Sequence, residues 1–250
     1  AKVTSKINFS GLWAWVRGGG WGGPFVANED WIDANVYAVP RLAENPSMPS
    51  SQLAEEWVDK RVGVPKTKTK KAICDVLEAS VQFILDGFYI GPYASNKADA
   101  WHPNADWIQD DLVDAEAAWR MILQLSFEKL DQVGVEKNRA VSAVSEVRQA
   151  LHKQINEANK SRVEPMFNSL MYTESLYSAL SDLLQGMVAF RQWRRTKEPA
   201  HAEKARHRLL SSQSHWNHHC QRHANLSGTA TAFRESGFWD LTQKLLGEMA

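Results

Sequence analysis

Three side chains near the start of the chain could recognise a sugar ring or a carboxylate: Trp15, Arg17 and Trp21. A guanidinium can form two parallel hydrogen bonds with a carboxylate, and an indole offers a flat face to a sugar. The alternating residues 12–16 predict a β-strand. Three glycines, Trp21 and two more glycines follow Arg17, and they allow backbone geometries that other residues tolerate poorly. Loops at the carboxyl ends of barrel strands build active sites, so these three residues are the predicted substrate-binding residues.

Catalytic residues are not predicted from the sequence. Glycosidases generally need two carboxyl groups held across the scissile bond. The acids near the glycine-rich loop are Glu29, Asp30 and Asp33, and all of them lie close to the start of a predicted helix. Acidic residues there complement the helix dipole, which favours a structural role.

The histidine-rich tract 215–223 raises a metal-binding hypothesis. His215, His219 and His223 repeat every four residues and share one helix face. Residues eight apart lie about 12 Å apart along a helix axis, so the three cannot ligate one ion together. The pattern favours a polar, solvated helix face, and neither a metal nor a cofactor is predicted.

Composition excludes several classes of partner. Lysine and arginine together equal aspartate and glutamate in number, at 29 each, so no global field attracts a polyanion. The basic stretches 66–71 and 191–208 lack the interleaved aromatic residues that stack bases, and we expect them to be solvated. No apolar run is long enough to span a membrane. Cys74 and Cys220 are expected to be buried or half-buried thiols. The sequence leaves a disulfide between them as an alternative.

The chain begins without an initiator methionine and without an apolar signal-peptide core, so we expect a processed chain or a piece of a longer one. The sequence does not fix the compartment and slightly favours the cytoplasm.

Helical periodicity dominates after residue 28, and Pro40 is expected to kink or interrupt the first helix. The predicted fold class is all-α: a multi-helix antiparallel bundle with one N-terminal strand and glycine-rich loop left over from a (β/α)8 barrel. Residues 1–28 are predicted to form the strand and loop, and residues 29–250 the helical domain. The predicted helices are 29–42, a short helix near 53–58, 67–90, 106–132, 136–160, 164–195, 199–224 and 238–249, with loops at 91–104 and 225–237.

The front of the chain resembles the α-glucuronidase-like glycoside hydrolases, which are family 67 and its relatives. The resemblance covers roughly residues 10–63. It is carried by the glycine- and tryptophan-rich segment 11–31, by the helix NVYAVPRLA (35–43), by an asparagine-proline turn and by the EEW helix (55–57). In that group these segments end the catalytic barrel and begin a helical C-terminal domain.

The resemblance implies that the chain is the C-terminal piece of a carbohydrate-active enzyme. Its partners would be a uronic-acid-bearing oligosaccharide, bound through the parent enzyme, and the missing barrel strands. The catalytic carboxylates of the family lie on those strands, so the chain alone is predicted to be inactive. Its expected role is structural, forming one wall of the sugar site, and homo-oligomerisation stays open.

An alternative of a different class is a standalone helical-bundle scaffold whose tryptophan-rich arm docks on a partner. In that case the first 25 residues or so would pack on their own bundle. A strand removed from a barrel would instead expose unpaired backbone edges.

Overall fold

A computed structural model of the chain describes residues 29–64, 68–90, 108–109, 112–223 and 234–249. The predicted strand and loop at 1–28, with Trp15, Arg17 and Trp21, lie outside these residues. The predicted loop at 91–104 lies outside them as well.

The described part of the chain is a helical bundle, which confirms the predicted all-α class. Three very short strands form a small sheet beside it, with β1 antiparallel to β2 and β2 parallel to β3. The helices in chain order are α1 (Glu29–Glu44), α2 (Ser50–Trp57), α3 (Lys68–Phe88), α4 (Ala115–Gln124), α5 (Phe127–His152), α6 (Lys160–Thr196), α7 (Pro199–His223) and α8 (Phe238–Gly247); a π-helical turn (Val58–Val62) follows α2, and the strands are β1 (Ile108–Gln109), β2 (Leu112–Asp114) and β3 (Arg234–Ser236).

Helix α6 is the centre of the core. Every residue from 179 to 190 is buried, so this part of the helix is covered on all sides by the rest of the protein. Its largest interface is with α7, and α5 packs on another side of it and on α3. Only two residues join α6 to α7, and short connections of this kind join antiparallel neighbours.

Pro40 does not interrupt α1, which runs unbroken to Glu44. A proline removes one helical hydrogen bond, here to the carbonyl of Val36. Val36 is 39% exposed and Pro40 is exposed, so solvent can reach this part of the helix.

The predicted helix 106–132 is wrong. This segment contains β1, β2 and α4, and α5 begins at Phe127 after a break. Asp114 ends β2 and caps α4, since its side chain accepts a hydrogen bond of 2.9 Å from the backbone N–H of Ala117. Strand β2 pairs with β3, which lies far along the chain, and local periodicity cannot reveal such pairing.

None of the described helices combines the length and apolar character that crossing a membrane requires.

Candidate functional site

A charged cleft of about 310 Å³ opens beside the first turns of α1. Three separate parts of the chain form its walls: the start of α1, the end of α2 with its π-helical turn, and the first turns of α6. The lining residues are Asp30, Asp33, Trp57, Arg61, Val62, Ser161, Arg162 and Pro165. Two carboxylates and two guanidiniums therefore face one small space.

Asp33 is held in place from below by Trp57. The indole Nε1–H of Trp57 donates a hydrogen bond of 2.7 Å to Oδ2 of Asp33. Trp57 is only 2% exposed, so it forms the floor and orients the carboxylate without offering its ring face to a ligand. The Nε of Arg61 lies 3.6 Å from the same oxygen, which draws this guanidinium toward the carboxylate.

The π-helical turn positions the second wall. The backbone N–H of Gly63 donates to the carbonyl of Val58 at 2.8 Å and closes the turn. Gly63 has a φ of 65°, a left-handed conformation that a residue with a Cβ adopts only with strain. Its carbonyl then accepts a hydrogen bond of 2.6 Å from Arg162, which fixes that guanidinium from across the cleft.

The start of α6 makes this side of the cleft electropositive. No acidic residue lies in its first turn, and the side chain of Asn159 does not cap it. Asn159 instead donates to the carbonyl of Gln154 at 2.8 Å. The partial positive charge of a helix N-terminus therefore adds to the charge of Arg162, while α1 provides the acidic side.

The predicted site residues Trp15, Arg17 and Trp21 lie outside the described residues, so their assignment stays a prediction. Asp30 and Asp33, which the sequence assigned to the helix dipole, line the cleft together. Sequence reasoning missed Arg61 and Arg162. Arg61 lies two residues before Gly63, and a glycine often marks the end of a helix, so this position could have been located from the sequence. No local sequence pattern distinguishes Arg162.

A second polar cluster lies between α6 and α7 and is closed to solvent. Oγ of Ser175 lies 2.7 Å from Nδ1 of His219 and 3.1 Å from Nε2 of His223. The two imidazoles are 0% and 1% exposed, and the ring of Tyr172 meets both of them edge to face. We call these four residues the histidine cluster.

The histidine cluster corrects the expectation that this helix face is solvated. Burial lowers the pKa of His219 to about 3 and that of His223 to about 4, so both rings are neutral near pH 7. His215 is turned away to Asp182, with Nδ1 and Oδ2 3.1 Å apart. Among the described residues, no three His, Cys, Asp or Glu side chains are grouped so that they could hold a metal ion.

Two side chains of the basic stretches are also less solvated than expected. Lys70, in the first basic stretch, is buried and lies 2.8 Å from Asp59. Arg208, in the second stretch, pairs with the buried Asp182 at 2.5 Å. The solvated-face prediction is therefore wrong for these two residues.

Both cysteines are free thiols, Cys74 buried and Cys220 half-buried, as the sequence indicates. Burial raises the pKa of the Cys74 thiol to about 11, which makes it a poor nucleophile at neutral pH.

Comparison of the chain with protein-family models, with curated proteins and with solved structures gives no match.

Proposed function

We propose that this chain is the helical C-terminal domain of a carbohydrate-active, α-glucuronidase-like glycoside hydrolase. In this proposal the domain is structural, provides one wall of a sugar site and does not hydrolyse glycosides by itself. The observation that carries it is the charged cleft beside α1. This helix directly follows, in the sequence, the segment that holds Arg17 and Trp21.

The chemistry of the cleft suits a carbohydrate. Carboxylates accept hydrogen bonds from hydroxyl groups, and guanidiniums donate several hydrogen bonds in a fixed planar arrangement. Asp33 is already oriented by Trp57 and Arg61, so little further ordering is needed when a ligand binds. A cleft of about 310 Å³ is within the usual size of small-ligand sites.

In this proposal the chain by itself does not hydrolyse glycosides. The resemblance to the α-glucuronidase-like enzymes implies that the catalytic carboxylates belong to barrel strands that this chain does not contain. Asp30 and Asp33 lie three residues apart on one helix, so they belong to the same wall of the cleft. Glycoside hydrolysis needs carboxyl groups on both sides of the scissile bond.

Titration calorimetry of the 250-residue chain with an aldouronic acid, an oligosaccharide that carries a uronic acid, tests this proposal. We expect weak, saturable binding with a Kd of about 1 mM, because only one wall of the site is present. Asp33→Asn keeps an acceptor for Trp57 and removes the charge, and it should weaken binding about fivefold. The matched control is Asp240→Asn, an exposed aspartate on α8, which should bind as the unmodified chain does.

Two results would contradict the proposal. One is the absence of binding at sugar concentrations well above the millimolar range. The other is release of a uronic acid from the aldouronic acid by the purified chain, which would show that the chain holds its own catalytic groups.

A further inference from the structure

The far end of α6 holds two guanidiniums against one aromatic ring. The Cζ of Arg195 lies 3.7 Å from the ring centroid of Phe127, the first residue of α5, and the Cζ of Arg191 lies 4.4 Å from the same centroid. Arg191 also donates a hydrogen bond to the carbonyl of Ile122, in the last turn of α4. Two positive charges from successive turns of one helix are therefore brought together at a single place.

These two charges are not balanced by a carboxylate within the described part of the chain. The half-buried Arg148 on α5, by contrast, forms an ion pair of 2.5 Å with Glu174. Burial and the adjacent charge of Arg195 lower the pKa of Arg191, so the two guanidiniums repel one another. The face of an aromatic ring attracts cations and holds them there, but it carries no net charge that could offset theirs.

From this arrangement we infer that Arg191 and Arg195 form a binding site for a small anion of the phosphate class, either free phosphate or the phosphate group of a sugar phosphate. Guanidiniums bind phosphate oxygens through paired N–H donors. A phosphate monoester carries a charge of about −1.5 to −2 near pH 7 and three acceptor oxygens. One such group can therefore offset both positive charges, whereas a single carboxylate offsets only one.

Both side chains are oriented in advance and retain donors for this ligand. Each guanidinium carries five N–H donors. In the described part of the chain, the hydrogen bond to the carbonyl of Ile122 takes one terminal nitrogen of Arg191. Arg195 is exposed and Arg191 is half-buried, so a small ion can reach both. Because the ring of Phe127 already restricts the two side chains, less conformational entropy is lost when an anion binds.

The phosphate site is separate from the charged cleft. Arg162 lines the cleft in the first turn of α6, and Arg191 lies near the end of the same helix. At about 1.5 Å per residue, the two positions are about 40 Å apart along the helix axis. The inference therefore goes beyond the proposed function, and the failure of either one leaves the other standing.

Titration of the full 250-residue chain with inorganic phosphate tests the site. The guanidinium resonances of Arg191 and Arg195 are followed by NMR and are assigned by their absence in the variants below. Sodium chloride keeps the ionic strength constant, so that general screening does not change during the titration. We expect both resonances to shift and to saturate with a Kd of about 1 mM.

Arg195→Gln and Arg191→Gln each remove one of the two charges, and each should weaken phosphate binding at least about fivefold. The matched control is Arg194→Gln, which removes the same charge from the exposed neighbour of Arg195. It should change the Kd less than about twofold, because exposed charges are screened by salt. Circular dichroism verifies that each variant is folded. Arg195→Gln decides the outcome if the loss of the hydrogen bond to Ile122 unfolds Arg191→Gln.

Two further ligands identify the chemistry that the site recognises. Acetate carries one charge and should bind at least about fivefold more weakly than phosphate at the same ionic strength. Glucose 6-phosphate separates the two sources of the phosphate group. If it binds more tightly than inorganic phosphate, the ligand is a sugar phosphate; if it binds equally or more weakly, the ligand is free phosphate. Either result supports the site.

Three results would overturn the inference. One is the absence of saturation at phosphate concentrations well above the millimolar range. Another is equal binding of acetate and phosphate. The third is an equal loss of affinity in Arg194→Gln and Arg195→Gln, which would show a general attraction of anions to a basic surface and not a site on Phe127.

Discussion

The charged cleft and the histidine cluster are both polar sites that join distant parts of the chain, but they differ in access to solvent. In the cleft, the side chain of Arg61 is 54% exposed and that of Asp33 is 38% exposed. In the histidine cluster, His219 and His223 are almost completely buried. The charges of the cleft stay hydrated and can exchange water for a ligand, whereas the histidines have exchanged water for contacts within the protein.

This difference assigns different roles to the two sites. Burying an ionised group without a partner is costly, so His219 and His223 are neutral near pH 7 and their protonation should destabilise the fold. Exposed ion pairs contribute little to stability, so the partly exposed Arg61 and Asp33 of the cleft should matter less for stability than the histidine cluster does. Removing side chains from the two sites should therefore change the free energy of unfolding by very different amounts.

The largest expected effect is acid destabilisation through the histidine cluster. Burial lowers the pKa values of His219 and His223 to about 3 and about 4, below the unfolded value of about 6.5. The unfolded chain therefore binds more protons below pH 6.5, and stability falls as the pH falls. Between pH 6.5 and pH 5 the two histidines together should lower the free energy of unfolding by about 3–4 kcal/mol. Urea denaturation across this pH range measures the slope.

The double variant His219→Gln with His223→Gln separates this effect from general acid denaturation. Its stability should depend much less on pH over the same interval, although it is lower at pH 7. His207→Gln, at an exposed histidine on the same helix, is the matched control and should keep the slope of the unmodified chain. An unchanged slope in the double variant would show that the histidine cluster is not acid-sensitive.

A slightly smaller effect is expected at Lys137, a second closed polar site. Lys137 is 1% exposed, and its Nζ donates to the carbonyls of Asp86, Gly87 and Tyr89 at the end of α3. Lys137→Met keeps the length of the side chain and leaves these carbonyls without that donor, which should cost about 3 kcal/mol. Thermal unfolding measures the loss, and a change below about 1 kcal/mol would contradict a stabilising role for these hydrogen bonds.

The sequence predicted the closed sites less well than the helices around them. Periodic apolar residues located α3, α6, α7 and α8 to within a few residues. The burial of His219 and His223 could not be predicted in this way, because their partner Ser175 lies 44 and 48 residues away. Arg162 likewise reaches the cleft through the carbonyl of Gly63, which is 99 residues away. Local patterns give helix faces, while pairings across such distances depend on how the helices pack.

An intermediate effect is expected at the floor of the cleft. Asp33→Ala removes the acceptor of the buried Trp57 indole N–H, and an unpaired buried donor should cost about 1–2 kcal/mol. Asp33→Asn retains a carbonyl oxygen for this bond, so its stability should stay close to that of the unmodified chain. Equal losses in the two variants would mean that the charge of Asp33, and not its hydrogen bond to Trp57, stabilises this region.

The smallest effect is expected at the open side of the cleft. Arg162→Gln should change the free energy of unfolding by less than about 0.5 kcal/mol, because its hydrogen bond to Gly63 lies at the exposed surface. The same thermal unfolding measurement used for Lys137→Met gives the matched value. A loss as large as that of Lys137→Met would remove the distinction between open and closed polar sites.

The most direct test of the central claim follows the indole N–H of Trp57 by NMR during titration with the aldouronic acid. This resonance reports on Asp33 in the cleft and is assigned by its absence in Trp57→Phe. We predict that it shifts and saturates with the Kd measured by calorimetry, while the ring resonances of His219 and His223 stay unchanged. A Trp57 signal that stays fixed while other tryptophan signals shift would contradict the assignment of the cleft as the ligand site.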